Sequence, residues 1–378
     1  MRELDGLLSD EGWPYASTPP VEEGDPGRFH ALFGRDSLIC ALQVLPGRPE
    51  VARATLRALA ARQGRVEDAG TLEAPGKIGH EFRDAAPEPF ARAGWPAGGA
   101  FAYYGTADAT SWFLVLLAAA PDPELAPAGR SAAAWLEGAL DDGDGLVRYG
   151  PGAWPALTQQ GWRDTVDPRA AYGGGILRPD GTVPEPPLAD LDTQAVAYAA
   201  LRAAGSHERA EALRDRLSAL VPDVMAVEEG DRVVPGAGSQ LGWLLWAGAL
   251  HPDARAAAAE RLCAPDVLTS HGLRTLSSDS PVFGAHHYHR GSIWPFDSWL
   301  GWGGLRAAGR AAEAERVRTG VLAALDRLGR APELYAVTEV GEVEPVALAN
   351  RVQAWTVGAR WALEHEWDGR LAAPLAPA

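Results

Sequence analysis

Cysteine is nearly absent: Cys40 and Cys263 are the two in 378 residues. With no paired spacing and no Cys/His cluster, they exclude a disulfide scaffold and a structural zinc site, and both thiols are expected to be reduced and buried. Lysine is scarcer still, since of 34 Lys and Arg residues only Lys77 is a lysine. Where arginine serves everywhere else, a lone lysine suits a site that wants a compact point charge rather than a planar fork, although chance retention explains it equally well. No apolar run reaches the roughly 20 residues needed to span a bilayer. The N-terminus, Met1-Arg2-Glu3-Leu4-Asp5, lacks a basic region followed by an apolar stretch, so the expectation is a cytoplasmic protein with no membrane partner. Positive charge is in deficit, at a formal net charge of -16. Such a chain repels polyphosphates, which argues against nucleic acid as a partner and for a neutral substrate.

A hydrophobic content of 47% over this length allows a large buried core. The 30 prolines and 43 glycines are scattered and never pool into a linker, which predicts one domain over 1–378. Apolar residues recur at three- and four-residue spacing in about eleven segments, near 37–45, 49–63, 107–120, 129–141, 191–204, 207–221, 239–249, 253–263, 292–307, 310–328 and 350–364. They come in pairs. The first member often opens on Trp, Gly and polar groups, as in Asp108-Ala109-Thr110-Ser111-Trp112; the second is a plain amphipathic helix, such as Ala311 to Leu328. Strand patterns are scarce, so the chain is expected to be all-α. The two helix types predict a double-layered ring whose long loops (64–100, 142–190, 264–291, 329–349) gather at one mouth. An α-solenoid would need a repeat of fixed length, and none is seen.

Tryptophan is abundant, at 14 against 8 Tyr and 8 Phe, and many Trp residues stand in polar loops beside Asp, Arg or Gly. Flat apolar faces beside hydrogen-bonding groups suit a carbohydrate. Gln159-Gln160-Gly161-Trp162-Arg163-Asp164-Thr165-Val166-Asp167 is the most telling stretch, because an indole beside a carboxyl can raise its pKa and offer a face to a pyranose. A packed ring beside a capping aspartate is the plainer alternative. In Phe33-Gly34-Arg35-Asp36, a carboxylate beside a guanidinium makes an acceptor–donor pair for vicinal hydroxyls, or a simple helix cap. Glu73 to Arg83 is a loop dense in ionisable groups that could also be a solvated charge run. His286-His287-Tyr288-His289 suggests a metal, but no cysteine or helical i,i+4 histidine pair supports one. Finally, Ala331-Pro332-Glu333 places a carboxylate after proline, where it could equally solvate the loop.

In order and spacing, FHALFGRDSLI, EAPGKIGHEFR, YYGTADAT, QGWRDTVD, LADLDTQAVAYAA, GLRTLS, YHRGSIWPFD, PELYAV and VQAWTVGA resemble the amylo-α-1,6-glucosidase family, the glucosidase part of glycogen-debranching enzymes. The resemblance covers most of the chain. It implies an (α/α)6 barrel and an inverting hydrolase that releases a terminal glucosyl unit from an α-glucoside, without cofactor or metal. The matching catalytic carboxylates are Asp164 as general acid and Glu333 as general base. Asp164 is preferred to Asp167 because it alone follows Gly-Trp-x; Glu333 is preferred to Glu339, Glu342 and Glu344 because it alone follows Ala-Pro. Trp162 and its loop would raise the Asp164 pKa by desolvation, and Glu333 should have a basic or hydrogen-bonding neighbour.

The resemblance further implies that Arg35 and Asp36 hold sugar hydroxyls. Phe33, Lys77, His80, Glu81, Tyr104, Asp108, Trp162, Gln194, His289, Trp294, Gln353 and Trp355 would line the pocket. Four departures from the family pattern bear on specificity: Arg290 for a small polar residue, Phe296 for histidine, Tyr335-Ala336-Val337 for Phe-Cys-Gly, and Asp192 for glutamate. The resembling region begins almost at residue 1, with no polymer-gripping domain before it, so short oligosaccharides or small glycosides are the expected substrates. The molecule is expected to be a monomer or weak homo-oligomer. Competing readings are a sugar epimerase or isomerase using His287 or His289, and a carbohydrate-binding protein without activity.

Overall fold

A computed structural model describes residues 2–19, 29–92, 94–95, 99–150 and 157–371. Eleven helices of eight or more residues order the described chain: α1 (Gly34–Val44), α2 (Pro49–Ala61), α3 (Ala109–Ala119), α4 (Ala126–Asp142), α5 (Leu191–Ala204), α6 (His207–Leu220), α7 (Gln240–Ala247), α8 (Pro252–Leu262), α9 (Pro295–Ala307), α10 (Ala311–Leu328) and α11 (Ala354–Glu364). Local sequence starts several of them. Proline, whose missing N–H would be unpaired in any case, opens α2, α8 and α9, and the Asp190 carboxylate caps α5 by accepting from the Thr193 N–H at 2.7 Å.

Burial separates two classes. All eleven residues of α1 are buried, as is every residue of α7 but the last. By contrast α6 buries only the stripe Ala210, Leu213 and Leu217, and α8 only Ala258, Ala259 and Leu262. The odd-numbered helices pack each on the next, and α11 returns to pack on α1, so the inner ring closes on six helices. Each even-numbered helix packs outside the inner helix before it. The sixth outer place is taken by a single turn, Arg2–Asp5, against α11. The fold is an all-α (α/α)6 barrel whose sixth outer place holds, among the described residues, a single turn.

Short strands add what periodicity had not suggested. Leu32–Phe33, Glu81–Arg83 and Phe101–Tyr103 form one antiparallel sheet, and Ala189–Asp190, Val224–Val227 and Val233–Pro235 another; Leu268–Thr269 pairs with Gly272–Leu273, and Tyr335–Val337 with Val343–Pro345. Two- to four-residue strands are too short to show a period of two, yet they fasten the loops of the mouth to the inner helices.

The inner ring is tight. A Cβ on Gly242 of α7 would lie 2.6 Å from the Gly301 Cα of α9, so these two helices meet backbone to backbone. Indoles fill the axis: Trp112 packs on Trp243 and Trp246, Trp243 stacks on Trp162 at 5.8 Å, and Trp162 meets the edge of Trp294 at 5.4 Å. At the far end of the barrel the chain after α11 crosses the floor. The Trp367 indole donates to the Leu42 carbonyl, and its own carbonyl accepts from Trp299; the Asp368 carbonyl accepts from Trp246. Many tryptophans that composition assigned to sugar-facing loops therefore fill the core, because a closed ring of six helices leaves an axial space that large flat rings occupy. Among the described residues no helix is long and apolar enough to cross a membrane.

Candidate active site

All six inner helices bring their N-terminal ends to the same mouth, and the polar residues there are those that the sequence had clustered. Arg35, in the first turn of α1, is the hub. Its guanidinium lies 2.6 Å from Asp164, 3.3 Å from Asp108 and 3.8 Å from Asp36, and donates to the Gly161 carbonyl at 3.1 Å. Burial alone would lower its pKa, but three carboxylates more than offset this and hold it above the usual arginine value. The same balance runs the other way for the acids. Burial pushes Asp36 up to about 7 against the pull of Arg35, and Glu81 up to about 7 against Arg83.

The Asp164 side chain is about one quarter exposed. Desolvation raises its pKa, the Arg35 charge and hydrogen bond restrain the rise, and Asp108 adds to it. The net direction is upward, as a proton donor requires. The Trp162 ring is buried among Trp243, His289, Trp294 and Phe296. His80 Nε2 stands 4.0 Å from Asp164, and burial together with the Arg35 charge keeps its pKa far below the usual histidine value, so it is a neutral neighbour.

Glu333 is buried in the segment between α10 and the strand Tyr335–Val337. The Tyr288 hydroxyl donates to Oε1 and the Asn350 backbone N–H to Oε2 at 3.0 Å, while the Glu333 N–H returns a bond to the Asn350 carbonyl. These are the hydrogen-bonding neighbours that the sequence required without naming. Between the two carboxylates runs an unbroken line of polar contacts. Asp164 pairs with Arg35 and Arg35 with Asp36; Asp36 accepts from Gln353 at 3.3 Å, Gln353 accepts from the Asn350 side chain at 3.0 Å, and Asn350 donates to Glu333. The rival carboxylates lie outside this line: Asp167, Glu339 and Glu342 are not buried, and Glu344 pairs with His286 at 2.8 Å on the rim.

Other expected site residues divide. Phe33 meets His80 edge-on at 5.4 Å. Trp294 donates to the Tyr288 carbonyl and stacks on His289, and Trp355 stacks on Phe296 at 4.0 Å, so these rings form the wall beneath Tyr288. The structure does not bring Lys77, Tyr104 or Gln194 into the cluster. Lys77 donates to the Leu72 carbonyl beside Trp135, in a separate cavity of about 540 Å³, where burial lowers its pKa to about 8. Tyr104 donates to the Arg62 carbonyl, and Gln194 makes a two-way bridge to the Val147 backbone. Each is committed to backbone that the helices alone leave unpaired.

Sequence reasoning missed Tyr288, Asn350 and Arg163. Arg163 fastens the acid-bearing loop to the barrel: it bonds Asp192 of α5 at 3.1 Å, Ser239 at the start of α7 at 3.0 Å, and the Thr275 and His289 carbonyls. Its place beside Asp164 was the available signal. Asp192, one of the four departures, is thus a structural partner. Among the described residues no group of three or more His, Cys, Asp or Glu side chains could hold a metal ion.

Residues 192–335 match the family model of the mannosylglycerate hydrolase MGH1-like glycoside hydrolase domain, a stretch that includes Glu333 and stops short of Asp164. No curated protein matches the chain by sequence. Among solved structures, the GH63 mannosylglycerate hydrolase from Thermus thermophilus in complex with glucose is 17% identical, with a TM-score of 0.63 over 97% of this chain and 98% of that one. The same enzyme with Tris and D-glycerate gives 16% identity and a TM-score of 0.64 over 97% and 98%. Neutral trehalase Nth1 from Saccharomyces cerevisiae gives 16% and 0.58 over 94% and 74%. These structures share the fold of this chain. The family match supports a glycoside hydrolase and not a debranching enzyme in particular.

Proposed function

We propose that this chain is an inverting glycoside hydrolase that releases a terminal glucosyl unit from a small α-glucoside, with Asp164 as general acid and Glu333 as general base. The observation that carries the reading is the pair of carboxyl groups at one mouth, joined by a continuous polar line yet held in different surroundings. Asp164 has a raised pKa beside a neutral histidine, and Glu333 receives hydrogen bonds from Tyr288 and Asn350. Asp164 protonates the glycosidic oxygen as the bond to the anomeric carbon breaks. Glu333 takes a proton from a water that attacks the opposite face, and the anomeric configuration inverts.

The names of the similar structures favour small glycosides. One set is a mannosylglycerate hydrolase, seen with glucose and with D-glycerate, and another is a trehalase. A release assay on the purified protein tests this, offering glucosylglycerate, mannosylglycerate, trehalose, isomaltose, panose and a limit dextrin, with the anomer of the released sugar read by NMR. The expected result is β-glucose first from a small α-glucoside. Release of the α anomer would overturn the inverting mechanism, and preference for the dextrin would restore a debranching activity.

A further inference from the structure

The loop that follows Asp164 ends in Gly173-Gly174-Gly175, with φ of 77° at Gly173 and 69° at Gly175. Three successive glycines give a segment the largest conformational freedom that a chain can have, so a loop that places an acid needs an external fastening. Arg35 and Arg163 hold the start of the loop, and the 286–291 strap fastens the part that follows. The Tyr288 N–H donates to the Tyr172 carbonyl at 2.8 Å, the His289 N–H to the Gly173 carbonyl at 2.9 Å, and the Gly175 N–H to His289 Nδ1 at 3.0 Å. Arg290 adds a charged clamp: Nη1 donates to the Pro168 carbonyl at 2.9 Å and to the Gly174 carbonyl at 2.6 Å, closing both ends of the loop at once.

Arg290 is an expensive choice for that task. Its side chain is buried, its Nε has no partner, and no carboxylate pairs with it among the described residues. Burial accordingly lowers its pKa. A buried guanidinium without a counter-charge is destabilising, and two backbone carbonyls offset only part of the cost. The same strap carries Tyr288, whose hydroxyl donates to Glu333, while Tyr172 Oη lies 2.5 Å from the hydroxyl of Thr165, the residue next to Asp164. One clamp therefore connects the segment that carries the proton donor to the tyrosine that orients the base.

We propose that Arg290 is a positioning residue that fixes Asp164 against the glycosidic oxygen by clamping the 165–175 loop onto the Tyr288 strap. The proposal rests on the reading of Asp164 as general acid. It distinguishes substrates that need protonation of the leaving group from those that do not. A glycosyl fluoride departs with little help from an acid, so a misplaced Asp164 slows its hydrolysis far less than that of a glycoside.

The test compares wild type, Arg290→Ala, Arg290→Lys and Asp164→Asn on the preferred glycoside and on the α-fluoride of the same sugar, with kcat and KM measured separately. For Arg290→Ala we expect kcat on the glycoside to fall roughly 10–100-fold with KM within about 3-fold, and kcat on the fluoride to fall less than about 3-fold. Arg290→Lys, or guanidinium added to the Ala variant, should recover part of the glycoside activity, and Arg290→Lys serves if the Ala variant does not fold. Equal losses on both substrates, or an unchanged kcat on the glycoside, would overturn the proposal while leaving Asp164 in place. If Asp164→Asn itself shows no selective loss on the glycoside, the reading beneath the proposal fails, and the proposal with it.

Discussion

Arg35 Nη2 lies 2.6 Å from Asp164 Oδ2, so the proposed proton donor is ion-paired with a guanidinium that it shares with Asp36 and Asp108. The pairing restrains a pKa that burial raises. A substrate hydroxyl that drew Arg35 away would release the restraint and favour the protonated acid at the moment it is needed.

Replacing the acid should therefore cost catalysis and not folding. Asp164→Asn keeps the shape and one acceptor oxygen, so glycoside turnover should fall by ~10²–10⁴-fold with little change in Tm. Near-normal turnover in steady-state assays would remove Asp164 from the mechanism.

The pH profile gives a second check. Activity that requires protonated Asp164 is lost as pH rises through its raised pKa, and Arg35 is the main influence holding that pKa down. Arg35→Gln should move the alkaline limb of the kcat profile to higher pH, whatever its effect on KM. A limb that stays in place or moves to lower pH would contradict this balance of burial and charge.

At the other carboxylate, Tyr288→Phe deletes the hydroxyl that donates to Glu333 and keeps the ring packed on Trp294 at 4.9 Å. Hydrogen bonds to charged groups contribute about 1.5–3 kcal/mol, so kcat should fall roughly 10–100-fold with a smaller change in KM. Equal effects on kcat and kcat/KM for every substrate would fit loss of an interaction made in the transition state. A pure KM effect would assign Tyr288 to binding instead.

Stability has its own pH dependence. Burial raises Asp297 to about 7, partly offset by Arg163, and its carboxylate accepts from the Trp243 indole at 2.6 Å. A folded-state pKa above the unfolded value gives stability that is present at low pH and lost as pH rises from about 4 to about 7, because the folded state holds a proton that the unfolded chain has released. Asp297→Asn should flatten this slope and, at pH 8, raise stability by on the order of 2–4 kcal/mol relative to wild type. Denaturant titrations at pH 5 and pH 8 measure it, and an unchanged slope would mean that Asp297 is charged in the folded protein.

The inner ring can be tested away from the site. Gly242→Ala would place a methyl 2.6 Å from the Gly301 Cα, backbone that cannot move aside without parting α7 from α9. A loss of about 1–3 kcal/mol is expected, seen as a lower Tm. Gly138→Ala, at a glycine of α4 with nothing within 4 Å and no positive φ, controls for an added methyl that meets no neighbour.

Eleven helices, their pairing and the ring were legible in the sequence because amphipathic spacing is a local property: α6 shows its buried stripe within fourteen residues. The clustering of Arg35, Asp36, His80, Glu81 and Asp108 was legible as motifs, since Arg35, Asp36 and Asp108 stand at the start of an inner helix and His80 and Glu81 at the head of a strand that pairs with Leu32–Phe33. What the sequence could not determine is which face of each residue is used. Trp162 reads as a sugar platform and is instead a buried part of the axial column; Lys77 and Tyr104 read as pocket residues and bind backbone elsewhere. The donors to Glu333 come from Tyr288 and Asn350, 45 and 17 positions away. Short-range periodicity carries no information about contacts of that kind. They exist only once the six inner helices close and bring separate loops to one mouth, where burial and the shared Arg35 charge act on Asp36 and Asp164 together.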